Sequence, residues 1–148
     1  VNFQEEGRVG SIFFAGGSYG RPFSFSYNTD SGLLNIRIRN WDENDERVNY
    51  NLSSTVNLDL DNWYLLSFTY NFNVGKAVLY LDGDDVDTGT GMSMVRPENL
   101  NVFIGKEGTY TADAKHRLSD VRIYSRALTA SEIGTLYAQM KERHLGDK

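Results

Sequence analysis

The chain contains no cysteine, so neither a disulfide framework nor a thiolate metal site can supplement its core. Basic charge is also in deficit, with a formal net charge of −5. Phosphate recognition needs a basic stripe that releases counterions, and nucleic acid is therefore not an expected partner. No apolar run approaches the length that crosses a bilayer as a helix, so no membrane span is expected. Histidine is scarce: His116 and His144 have no nucleophile close by in sequence, and a Ser-His-Asp triad cannot be assembled from them. The start, Val1-Asn2-Phe3-Gln4, has neither an initiator Met nor a signal-peptide pattern, and it reads as an internal position of a longer protein.

Aromatic residues, in contrast, are plentiful: nine Tyr, eight Phe and two Trp. Such side chains suit half-buried pleated surfaces, and 148 residues suffice for one domain that buries roughly two thirds of its unfolded surface. Short apolar or alternating runs recur at 11–15, 22–27, 33–39, 47–53, 64–70, 77–81, 101–104 and 118–124. Turn-rich residues such as Gly16-Gly17, Thr29-Asp30-Ser31-Gly32, Asn73-Val74-Gly75 and Asp82-Gly83 separate them. This pattern predicts an all-β, two-sheet antiparallel sandwich. In 34–39, Leu34, Ile36 and Ile38 take one face and Asn35, Arg37 and Arg39 the other. Phe23, Phe25 and Tyr27 oppose Ser24 and Ser26, and Val48, Tyr50 and Leu52 oppose Asn49, Asn51 and Ser53. Runs 64–68 and 77–81 are almost continuously apolar, as expected of mid-sheet strands covered on both faces.

One helix is predicted after Leu128. Thr129-Ala130-Ser131-Glu132 forms a capping box, and Ile133, Leu136, Tyr137 and Met140 follow as an apolar stripe at helical spacing. The sandwich with its helix is expected to occupy 1–140, with 141–148 as a charged tail or linker.

Several residues are candidates for a site. The polar faces of three successive strands predict a field of Ser24, Ser26, Asn35, Arg37, Arg39, Asn49, Asn51 and Ser53, which is either a solvated sheet face or a binding surface. Guanidinium can grip a carboxylate with two parallel hydrogen bonds, so an acidic polysaccharide is the ligand this field favours. Trp41, among charged residues at a strand end, and Tyr19 and Tyr110, in Gly-rich loops, are either stacking surfaces for a sugar ring or loop aromatics folded over the core. Glycosidase chemistry needs carboxylates flanking the scissile bond, but Glu43 and Asp45 sit in a loop-like charged cluster whose next alternate position is Arg47. No catalytic residues are assigned. Asp82, Asp84, Asp85 and Asp87 lack the glycine and glutamate spacing of an EF-hand and predict a hairpin turn.

Four segments carry a family resemblance: 63–70 (WYLLSFTY), 77–83 (AVLYLDG), 102–105 (VFIG) and 118–137 (LSDVRIYSRALTASEIGTLY). In order and spacing they resemble a bacterial-type laminin-G-like domain of the concanavalin-A-like jelly-roll class. The resemblance implies a non-catalytic module that binds a glycan or polysaccharide, or mediates adhesion, within a larger protein at an extracellular, cell or virion surface. It makes Trp63 a packing residue. It also makes Asp120 either a structural calcium ligand or a hydrogen-bonded strand carboxylate. Such domains open with strands that lie before the segment corresponding to Val1-Asn2-Phe3. The resemblance therefore also allows a structural or assembly domain whose sandwich is completed by another protein chain.

Overall fold

A computed structural model describes residues 1–5, 9–17, 20–41, 47–92, 101–105 and 115–145. The strands are β1 (Asn2–Phe3), β2 (Val9–Gly17), β3 (Gly20–Asn28), β4 (Leu33–Trp41), β5 (Arg47–Thr55), β6 (Leu66–Asn71), β7 (Lys76–Leu81), β8 (Asp84–Gly89), β9 (Asn101–Ile104) and β10 (His116–Arg117), followed by helix α1 (Ala130–Leu145). They form an antiparallel five-stranded sheet β5-β4-β3-β2-β9, a three-stranded sheet β6-β7-β8 and the pair β1-β10.

The alternation read in the sequence builds the first layer. Phe25, Tyr27, Leu34, Ile36, Ile38 and Leu52 all point inward and are at most 6% exposed. They meet Leu79 and Ala77 of β7 in one cluster, with Leu66, Phe68 and Tyr70 of β6 packed against it. The opposite face of β7, Val78 and Tyr80, packs against Ile133 and the half-buried Leu128 and Leu136, so β7 is covered on both sides as its apolar run predicted.

Turn chemistry fixes the hairpins. Between β3 and β4 the Asn28 Oδ1 accepts from the amides of Asp30 and Ser31, and Gly32 takes φ +65°. A Cβ there would lie 2.5 Å from the Val56 carbonyl oxygen. Asp82 (φ 52°) and Gly83 (φ 93°) form the two-residue turn from β7 to β8, where both positions need positive φ. The connection from β5 to β6 is held down by tyrosines. The Tyr27 hydroxyl donates to the Val56 carbonyl at 3.2 Å and accepts from the Leu58 amide at 3.2 Å, while the Asp59 amide donates to the Tyr64 hydroxyl at 2.8 Å.

Three local expectations are corrected. Residues 84–89 continue from the turn as a strand, hidden in the sequence because its acidic residues are poor strand formers. β6 lies at an edge of the three-stranded sheet, not in its middle. Residues 118–124 join no ladder among the described residues, the pairing there being confined to β10. Both segments line one cavity. The capping box forms as predicted: the Thr129 amide donates to Glu132 Oε2 at 2.8 Å and the Glu132 amide to Thr129 Oγ1 at 3.3 Å. The helix then runs to Leu145, because charged Lys141, Glu142 and Arg143 sustain a helix as well as apolar residues do.

Candidate functional site

The polar faces of β3, β4 and β5 fall side by side. Register sets Ser24 opposite Arg37 and Arg37 opposite Asn51, and likewise Ser26, Asn35 and Ser53 across the same three strands. Arg39 stands opposite Asn49. Neighbouring strands are about 4.8 Å apart, so each row is a polar strip roughly 10 Å across. Asn49, Asn51 and Ser53 on the outer strand are exposed, Arg37, Arg39 and Asn35 are half-buried, and Ser24 is buried. At the far end of the field the Ser53 amide donates to Asp87 Oδ2 of β8 at 2.7 Å, joining the two layers at this edge. Trp41 ends β4 opposite Arg47 and so belongs to the same end of the field as Arg39 and Asn49. Tyr19, Tyr110, Glu43 and Asp45 lie outside the described residues.

The other sequence candidates are drawn into structural contacts. Trp63 bridges to Asn2 and stacks on the His144 ring of α1 at 4.6 Å. His116 packs 6.0 Å from the Phe3 ring. The two histidines thus serve different packing contacts. Asp82 accepts from the Leu65 amide at 2.7 Å, Asp85 from the Thr88 hydroxyl at 3.1 Å, and Asp87 from Ser53, so the acidic hairpin does not converge on one point. Burial raises the Asp82 carboxyl above its ordinary value, against the opposing pull of the Leu65 amide.

Asp120 accepts from Arg122 Nε and Nη2, the latter at 2.7 Å, and from Arg143 Nη1 of the helix at 3.2 Å. Hydrogen bonding by Arg122 holds its carboxyl below the usual carboxylate range. A calcium site needs six to eight oxygen ligands, whereas here two guanidinium groups surround a lone carboxylate, and no cluster of three metal-ligating side chains occurs among the described residues. Arg122 and Arg143 are the partners this carboxylate has among the described residues.

No sequence signal pointed to a cavity of about 570 Å³ beside the second layer. Its walls include Phe13, Phe23 and Phe25 of the first sheet, Leu66 and Phe68 of β6, residues 118–126, and Leu136 and Met140 of α1. Arg39 lines it as well, so this arginine is shared between the polar field and the cavity. Val1 stands at the cavity, where its ammonium donates to the Tyr64 carbonyl at 2.7 Å and its carbonyl accepts from the Tyr64 amide at 2.8 Å. Burial lowers the ammonium pKa to about 6 although Asp82 pulls it upward.

Against known proteins, residues 1–134 match Laminin_G_3, the concanavalin A-like lectin/glucanases superfamily. The chain belongs to this superfamily. The concanavalin A-like fold agrees with a solved structure, the native heptameric SAP-like pentraxin from Limulus polyphemus. The TM-score is 0.64 at 20% identity, covering 92% of this chain and 65% of the pentraxin chain. The domain therefore spans about 65% of that protein's length. An S-layer domain-containing protein (residues 221–444) from Clostridium thermocellum matches with a TM-score of 0.46 at 21% identity, covering 93% of this chain and 66% of the other. A search of curated proteins found no match. At these identities the pentraxin likeness concerns the fold alone.

Proposed function

We propose that this concanavalin A-like domain is a non-catalytic carbohydrate-binding or adhesion module that holds an acidic polysaccharide on the polar face of β3, β4 and β5, as part of a larger protein on a cell or virion surface. The observation that carries this reading is the row Ser24, Arg37, Asn51, in which register sets an arginine between a serine and an asparagine on adjacent strands. A sugar ring bearing a carboxylate and hydroxyls asks for that combination: a fork for the carboxylate and short neutral groups for the hydroxyls. Asn49 and Asn51 are exposed on the outer strand and extend the contact, with Arg39 next to Asn49 in register and Trp41 at the end of the same strand as a stacking candidate. Superfamily membership supports the carbohydrate side of the reading. The chain's net charge of −5 opposes a polyanion at long range, so binding rests on local contacts.

Titration calorimetry with alginate, a uronic-acid polymer, tests this. A hydrogen bond to a charged group contributes about 1.5–3 kcal/mol, so Arg37→Ala should weaken binding by roughly tenfold to a hundredfold. Its unfolding free energy should change by no more than about 0.5 kcal/mol, as for an ordinary surface substitution, because Arg37 lies outside the core cluster. Equal affinity of the variant and the native chain would show that the ligand sits elsewhere.

A further inference from the structure

The polar field is not uniform along its length. Two residues advance a strand by about 6.8 Å, so successive rows across β3, β4 and β5 follow one another in steps comparable to one sugar ring of a polysaccharide. Arg39 with Asn49 forms one row, and Ser24, Arg37 and Asn51 form the next. Each of these carries a guanidinium. The row after them, Ser26, Asn35 and Ser53, carries hydroxyls and an amide and no positive charge.

At the outer end of that neutral row stands a carboxylate. β5 is the edge strand of its sheet, and the Ser53 amide turns away from β4 to donate to Asp87 Oδ2 of β8 at 2.7 Å. The Thr88 amide donates to Asp87 Oδ1 at 2.8 Å. Two backbone donors therefore fix the half-buried Asp87 beside Ser53. Further along β8 the rim changes: Gly89 lies next to Leu52, where a Cβ would be 3.3 Å from Leu52 Cδ2, and it brings no side chain and no charge towards the Arg37 row. Arg37 itself forms no salt bridge among the described residues, so its charge is not neutralised locally.

The sign of the charge thus reverses within one step of the face, from the Arg37 guanidinium to the Asp87 carboxylate. A ligand group bonded to the exposed Ser53 hydroxyl lies within about one Debye length, roughly 8 Å, of Asp87, so a like charge there is repelled and only partly screened.

We propose that Asp87 is a specificity-determining residue of this face: it reserves the row of Ser26, Asn35 and Ser53 for a neutral sugar beside the uronate at Arg37. The ligand class this selects is a polysaccharide in which acidic and neutral sugars adjoin, as opposed to a continuous polyuronate. The inference rests on the reading of this face as a polysaccharide site and adds which sugars can be neighbours there. Asp87 acts through its charge, as the repulsive element that discriminates between ligands, while Ser26, Asn35 and Ser53 supply donors and acceptors for hydroxyls.

Calorimetry with two hexasaccharides tests it. Alginate carries a carboxylate on every ring, whereas hyaluronan carries one on every second ring, with N-acetylglucosamine between. Asp87→Asn keeps an acceptor for the Ser53 amide and should shift the ratio of alginate to hyaluronan affinity about threefold to tenfold towards alginate, the effect of removing one like charge at this range. Ser53→Asp adds a carboxylate to the same row and should shift the ratio by a similar factor in the other direction. This second variant carries the test if the first does not fold. Both shifts should fade in concentrated salt, because their cause is Coulombic. A ratio that moves in neither variant, or that moves equally at every salt concentration, would overturn the assignment of Asp87. Binding by the native chain with an unmoved ratio removes this inference alone and leaves the role of Arg37 standing. If the native chain bound neither hexasaccharide, the polysaccharide reading would fall and this inference with it.

Discussion

The two layers of the sandwich are made of similar residues yet differ in completeness. In the first, five strands pair without a break from β5 to β9, and its inward residues Leu34, Ile36 and Ile38 are at most 1% exposed. In the second, β7 is sealed between the core and the helix, but β6 beside it pairs with β7 alone among the described residues and has half-buried Leu66 and Phe68. The difference teaches that a strong apolar run announces a covered strand without guaranteeing that its cover is present. Cover is a property of neighbours, and the same type of run is finished in β7 and unfinished in β6.

Paired truncations test this contrast with the largest effect. Ile36→Ala removes a fully buried side chain and should cost about 3–4 kcal/mol, within the usual range for such cavities. Leu66→Ala, at the rim of the existing cavity, should cost only about 1–2 kcal/mol, because its side chain is already partly wet. Denaturant unfolding of the two variants gives both numbers, and equal losses would mean the layers are equally well packed.

Acidity probes the incomplete layer alone. The Val1 ammonium has a folded pKa of about 6 against an ordinary value of 8.0, so between these values the unfolded chain holds the proton more tightly than the folded one. Stability should therefore rise by about 2 kcal/mol from pH 6 to pH 8, because each tenfold difference in proton affinity between the two states is equivalent to roughly 1.4 kcal/mol. Asp82, which faces the ammonium with Asp84 and Lys141 near it, acts in the opposite sense. Its raised folded pKa makes its own contribution fall as pH rises through that pKa. Acetylating Val1 should flatten the rise while keeping the bond to Tyr64. A slope that survives acetylation would place its origin elsewhere.

The smallest effect sharpens how loosely residues 118–124 are held. Their tie to the helix is the exposed pair between Asp120 and Arg143, and exposed ion pairs contribute a few tenths of a kcal/mol. Asp120→Asn should shift unfolding by no more than about 0.5 kcal/mol, equally with calcium and with chelator, since two guanidiniums surround this carboxylate. A calcium-dependent loss in this variant would contradict that placement.

Much of this could be read before any coordinates. Local rules supplied the polar and apolar faces of β3, β4 and β5, the capping box of Thr129 and Glu132, the Asp82-Gly83 turn and the double burial of β7. Each depends on the period of the backbone or on contacts within four residues, and both are written in the order of side chains. The acidic strand β8 and the two-residue β1 escaped because their pairing comes from partners distant in sequence, not from their own composition.

By itself, then, the sequence determined an antiparallel sandwich of the concanavalin A-like superfamily, the residues that face its core, and a polar field containing Arg37 and Arg39. Only the tertiary structure decided that Ser24, Arg37 and Asn51 share a row, that Asp120 bonds to two arginines, and that β6 and residues 118–126 line one cavity. The physical reason is range: periodicity tells each strand which way to face, whereas register, edges and gaps arise from which distant segments come to lie side by side, and no local pattern encodes that.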